Sequence, residues 1–131
     1  MTPLLLAEPS ERFLAEDHVA TLTTLRPDRT AHVVPVRFTW DASAGLVRVM
    51  TIAARRKTRN IVADPDSRAT ICQVAGFRWI TLEGPAAVFD NPARIAEAVR
   101  RYTARYGSPP PMPDGLVVIE ITVDRVLSLN N

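Results

Sequence analysis

Segment after segment of this chain alternates apolar and polar residues with a period of two, and only short stretches break the alternation. In residues 116–127, Val117, Ile119, Ile121 and Val123 share one face. In residues 31–40, Val34, Val36, Phe38 and Trp40 share a face with His32, while Val33, Pro35, Arg37 and Thr39 share the other. Residues 19–26 alternate likewise, 46–52 are an apolar stretch that reads as a strand, and 69–74 and 77–89 read as two more, the last bent at Gly84-Pro85. A period of two puts successive side chains on opposite sides of an extended backbone, so these are strands. Pro35 has no N–H to give to a ladder, which puts its strand at an edge or a bulge.

Helical spacing is confined to three places. Ser10 is placed to cap a short helix that buries Phe13 and Leu14. Residues 56–63 form a second helix, stopped by Asp64-Pro65. Asn91-Pro92 opens a third, with Ile95, Val99, Tyr102 and Tyr106 facing the core and Gly107 closing it. A Pro-rich loop, residues 108–115, is stiff and extended. The expected order is α-β-β-β-α-β-β-α-β. Many antiparallel strands with few short helices imply a closed or nearly closed barrel, mainly β, as one domain over residues 1–131. No Gly-x-Gly-x-x-Gly follows a strand, which argues against a doubly wound nucleotide fold.

Hydrophobic residues make up 47% of the 131 and charged residues 23%, an ordinary globular balance, and a barrel of this size gains burial by pairing with a copy of itself. The formal charge of +2 is too mild to argue for nucleic acid. One cysteine, Cys72, excludes an intramolecular disulfide and fits a reducing cytoplasm. The start, Met1-Thr2-Pro3-Leu4-Leu5-Leu6-Ala7-Glu8, has no basic region and too short an apolar run for a signal peptide or membrane span.

The densest basic run is Arg55-Arg56-Lys57-Thr58-Arg59, which holds the sole lysine and follows the strand at residues 46–52. Cations at a helix N-terminus oppose the macrodipole, so stability alone favours Asp or Glu there. A bound anion resolves the conflict, and free backbone N–H groups at the same place add to it. The run therefore reads as a phosphate site. It has no interleaved aromatics to stack bases. No His/Cys/Asp/Glu cluster has metal-ligand spacing, and no nucleophile elbow is present. Cys72, His18 and His32 read as structural, Trp40 as core, and Glu83 and Glu120 as partners of arginines.

The stretches Ala20-Thr21-Leu22-Thr23-Thr24-Leu25-Arg26 and His32-Val33-Val34-Pro35-Val36 carry a family resemblance, as does the region of Thr51, Lys57 and Asn60. The most specific is Cys72-Gln73-Val74-Ala75-Gly76-Phe77-Arg78-Trp79-Ile80-Thr81-Leu82-Glu83-Gly84. From about residue 10 to 127 the chain resembles the FMN-binding split barrels related to pyridoxamine 5′-phosphate oxidase. Within them it is most similar to the actinobacterial branch that uses the deazaflavin F420, and to its biliverdin-reducing type. The resemblance implies an antiparallel split β-barrel that works as a homodimer, with cofactor grooves between subunits. It implies that the coenzyme's phosphate lies near Thr51, Arg55, Arg56 and Lys57, with Asn60 behind. It places the ring against Val33, Val34, Pro35, Val36, Met50, Thr51 and Ile52, with the partner's region of Gln73, Arg78 and Trp79 closing the site. Ile52-Ala53-Ala54-Arg55 is bulkier than the small residues relatives often carry there.

The implied activity is hydride transfer from reduced F420 to a small conjugated acceptor such as biliverdin, with Arg37, Arg78 and the 55–59 cluster as candidates for pairing with propionates or the coenzyme's acidic tail. The alternatives are an FMN-dependent oxidase or reductase on the same fold, a non-catalytic flavin or tetrapyrrole carrier, and, last, a nucleic-acid-binding barrel. Neither a membrane nor a nucleic acid is expected as a partner.

Overall fold

The computed structural model describes residues 5–129. The apolar start at residues 1–4 lies outside the described residues. The elements run α1 (Glu8–Ala15), β1 (Ala20–Leu25), β2 (Ala31–Val36), β3 (Thr39–Asp41), β4 (Leu46–Ile52), α2 (Arg56–Ala63), β5 (Arg68–Ala75), β6 (Arg78–Phe89), α3 (Pro92–Tyr106), β7 (Leu116–Thr122) and β8 (Arg125–Ser128). The helices and most strands fall where the periodicity puts them. Two expected strands are each broken in two, residues 31–40 at Arg37-Phe38 and residues 116–127 at Val123-Asp124. Ser10 lies inside α1 rather than capping it, because Pro9 takes the first turn and Ala7 the cap position. Asn91 does hold the cap position of α3, though its side chain makes no capping hydrogen bond.

The eight strands form one antiparallel sheet in the order β2-β1-β5-β6-β7-β4-β3, with β8 added to β6. β6 is the shared member. Its first part pairs with β5 and β8, and Ala86 to Phe89 pair with β7. The change of partner falls at Gly84-Pro85. There the Thr122 carbonyl crosses so closely that a Cβ on residue 84 would sit 1.8 Å from its oxygen. Both halves of the sheet turn their apolar faces to one core. Leu22, Ile71, Leu82, Val47, Ile119 and Ile121 are each fully buried in it, and α1 supplies Phe13 and Leu14 while α2 supplies Ile61. This is the mainly β split barrel that the resemblance implies.

The break between β2 and β3 is stabilised from α3. Where strand pairing lapses, the Tyr106 hydroxyl donates to the Phe38 carbonyl at 2.8 Å and accepts from the Phe38 N–H at 3.1 Å. Phe38 is 1% exposed, so neither backbone group has water to turn to. Tyr106→Phe is expected to cost about 1–3 kcal/mol through these orphaned groups, read as a lower urea midpoint at unchanged slope.

A second buried polar knot lies nearby. Asp41 accepts from Arg48 at 2.8 Å and lies 3.1 Å from Arg101 of α3. The isolated carboxylates of the strands are paired, Glu83 with Arg125 and Glu120 with Arg94.

Candidate functional site

Among the described residues, β2 pairs only with β1, and β3 covers β4 only from Leu46 to Arg48. One edge of β4 from Val49 to Ile52 is therefore free of strand pairing, as is the outer edge of β2. Between these edges lies a groove of about 370 Å³. Pro35, Val36 and Arg37 form one wall, and Val49, Met50, Thr51 and Ile52 the other. Tyr102 of α3 and the prolines 110, 111 and 113 form the rim, and Arg55 and Lys57 close one end. Unpaired strand edges offer backbone donors and acceptors to a flat heterocycle, with apolar side chains against its faces. Pro35 suits an edge strand, where its missing N–H can face away from the ladder.

The end near α2 is electrostatically unusual. Arg55 holds the N-cap position without a side-chain hydrogen bond, and the first turn has no acidic residue. Among the described residues, every basic side chain outside the 55–59 run except Arg29 finds an acceptor. Arg55, Arg56, Lys57 and Arg59 have none. Burial, and then the charge of Arg55, hold the Lys57 ammonium below its ordinary pKa. The effect reaches β2, where burial, then Arg26, Lys57 and Arg56, press the His32 pKa down. An anion at this end relieves each of these penalties.

A sequence model described as "Pyridoxamine 5'-phosphate oxidase" matches residues 6–130. That match spans nearly the whole chain. The chain belongs to the pyridoxamine 5′-phosphate oxidase family. Among its relatives, the F420H(2)-dependent biliverdin reductase of Mycobacterium tuberculosis (strain CDC 1551 / Oshkosh) is 43% identical over 122 residues, 93% of this chain and 87% of that protein. Solved structures agree in fold. A conserved hypothetical protein of Mycobacterium tuberculosis superposes with a TM-score of 0.78 at 20% identity, over 98% of this chain and 87% of that one. An F420 reductase superposes with a TM-score of 0.72 at 23% identity, over 93% and 98%.

On this pyridoxamine 5′-phosphate oxidase scaffold, the residues singled out in the sequence separate into groups. Pro35, Val36, Met50, Thr51, Ile52, Arg55 and Lys57 come together on the groove. Val33 and Val34 continue the β2 edge beyond the lining, and Arg56 stands exposed beside Lys57. Asn60 points elsewhere. It is 3% exposed, its amide donates to Thr24 Oγ1 at 3.0 Å, and it lines a separate cavity beside α2. Gln73 is fully buried, its amide donating to the Phe13 carbonyl at 2.8 Å and accepting from Arg105 at 3.0 Å, so within this fold it ties β5 to α1 and α3.

Arg78 and Trp79 lie at the β5–β6 hairpin, away from this chain's own groove. Arg78 makes two bonds to Glu16, at 2.8 and 2.9 Å, and covers the Phe13 ring. Sequence reasoning missed Tyr102, assigned to the core on helical spacing, and the proline rim. No local pattern distinguishes a tyrosine that lines a groove from one that fills a core.

Among the described residues there is no group of three or more His, Cys, Asp or Glu side chains able to hold a metal, and no helix is long and apolar enough to cross a membrane.

Proposed function

We propose that this chain is an F420-dependent oxidoreductase that reduces a conjugated small-molecule acceptor of the biliverdin class. The observation that carries the reading is the acceptor-free cation cluster of Arg55, Arg56 and Lys57 at one end of an apolar groove between two strand edges. Its residues fit a phosphate, because the helix N-terminus and the unpaired ammonium and guanidinium groups point to the same ligand chemistry. The choice of F420 over FMN rests on the mycobacterial relative, whose name carries that coenzyme.

When bound, reduced F420 supplies the hydride. The chain's own work is to bind and orient. Arg55, Arg56 and Lys57 hold the phosphate, with Thr51 at the strand end beside them. Val33, Val34, Pro35 and Val36 on one edge, with Met50, Thr51 and Ile52 on the other, hold the ring in one plane. Val36, Val49 and Ile52 keep water from its faces. Positioning of this kind needs no nucleophile or acid–base pair on the protein.

The working form is a homodimer in the cytoplasm. Val33, Val74 and Phe77, 55%, 52% and 92% exposed, are apolar surface that a second copy covers, and the partner's hairpin with Arg78 and Trp79 closes the groove. The test is a titration with F420 and FMN side by side. Lys57→Ala is expected to weaken F420 binding by about 1–3 kcal/mol, roughly five- to 150-fold. Unchanged affinity in that variant removes the phosphate assignment, and tighter binding of FMN transfers the reading to a flavin enzyme.

A further inference from the structure

The groove has a further cation, carried at the end of β2 rather than at the start of α2. Among the described residues, three basic side chains, Arg37, Arg55 and Lys57, line the groove, and no Asp or Glu does. Sheet order makes β2 and β4 run in opposite directions across the gap. The start of β2 therefore faces the end of β4. Arg37 lies five residues past His32, about 16 Å along an extended chain. One end of the groove is the α2 cluster, and the other is Arg37.

Arg37 is held ready rather than consumed. Its Nη1 donates to the Tyr102 hydroxyl at 2.8 Å, and its guanidinium lies over the Tyr106 ring at 4.8 Å. Tyr106 is itself pinned by both backbone groups of Phe38. Arg37 thus has a fixed plane and a neutral hydrogen-bond partner. Asp17 adds only a smaller pull, behind the Tyr102 contacts. Among the described residues, the remaining N–H donors of its fork find no acceptor. A planar, immobilised guanidinium with free donors at the end of an acid-free groove matches a carboxylate in geometry and charge.

We propose that Arg37, clasped by Tyr102 and Tyr106, is a carboxylate anchor at the end of the groove opposite the phosphate cluster. The anchor selects for an acceptor that carries an acidic arm and disfavours neutral acceptors of the same ring size. This rests on the oxidoreductase reading for the identity of the acceptor but not for the existence of the anchor. A carboxylate has two sources, the acceptor and the acidic tail of F420, and the experiment separates them.

Coenzyme-free protein is titrated with biliverdin and with its dimethyl ester, and separately with F420, for wild type, Arg37→Gln and Tyr102→Phe. Thermal melts confirm that each variant is folded. The expected result is that wild type prefers the diacid and that Arg37→Gln weakens it about tenfold while leaving the ester unchanged. Tyr102→Phe, which frees the guanidinium to wander, gives a smaller loss with the same acid-over-ester pattern. If Arg37→Gln instead weakens F420 tenfold and leaves both acceptors alone, the anchor stands and its carboxylate is the coenzyme's. If Arg37→Gln changes none of the three, or weakens diacid and diester equally, the anchor is overturned. A wild type that fails to bind F420 but retains the acid-over-ester preference removes the oxidoreductase reading and leaves the anchor in place.

Discussion

Gly84→Ala is expected to cost about 3 kcal/mol or more of folding stability, the upper end of what overpacking does. The added methyl would lie 1.8 Å from the Thr122 carbonyl oxygen, 2.8 Å from its carbon and 3.2 Å from the Asp124 nitrogen. All three are backbone atoms, so no side chain can swing aside. Relief requires moving β6 away from the β7–β8 corner. That corner is fixed by the Asp124 N–H, which donates to the Glu83 carbonyl at 3.0 Å, and by the β6–β8 ladder. A domain of this size typically has about 5–15 kcal/mol in all, so the loss is a large share. Thermal unfolding should show it as a fall of roughly 10 °C or more. A variant that melts within a degree or two of wild type contradicts the close approach.

Asp41→Ala is expected to destabilise by about 3–5 kcal/mol at neutral pH, because it leaves the buried charge of Arg48 alone. Arg48 is 8% exposed, and Glu120 across the ladder is already engaged by Arg94. The same residue contributes to acid sensitivity. Burial pushes the Asp41 pKa up, but hydrogen bonds from Arg48, Ser43 and the Ala44 N–H, with the charge of Arg101, outweigh it and hold the value at about 2, below the ordinary 3.8. A depressed folded pKa means that the stabilisation is complete above the unfolded value and is lost as pH falls from about 4 through 2. The amount is about 2 kcal/mol. The stability gap between wild type and Asp41→Ala should therefore narrow by that amount between pH 7 and pH 2 in urea titrations. A gap that stays constant contradicts the assignment.

Period-two patterning located the strands because each has one face in a shared core. Leu22, Ile71, Val47 and Ile119 sit on that face in four different strands. The same patterning ran through Arg37-Phe38 and through Val123-Asp124 without seeing the breaks. Those corners are made by partners far along the chain, Tyr106 for the first and the Glu83 carbonyl for the second. The phosphate end of the groove was legible, because a run of cations at a helix start is a local contradiction that invites an anion. The opposite end was only half legible. Arg37 was marked by its charge, but its clasp joins residues 65 apart and leaves no local trace. Gln73 was legible only as a polar residue in an apolar strand, and its ties to Phe13 and Arg105 join residues far apart in the chain.

The dual membership of β6 bears on how the molecule is first made. β4 is translated early, yet its whole length waits for β7, from Leu46 with Thr122 to Ile52 with Leu116. Until residue 122 has left the ribosome, half of the sheet has no template. A nascent chain stalled before that point carries β3 and β4 as an orphan hairpin, its apolar side uncovered and open to chaperones.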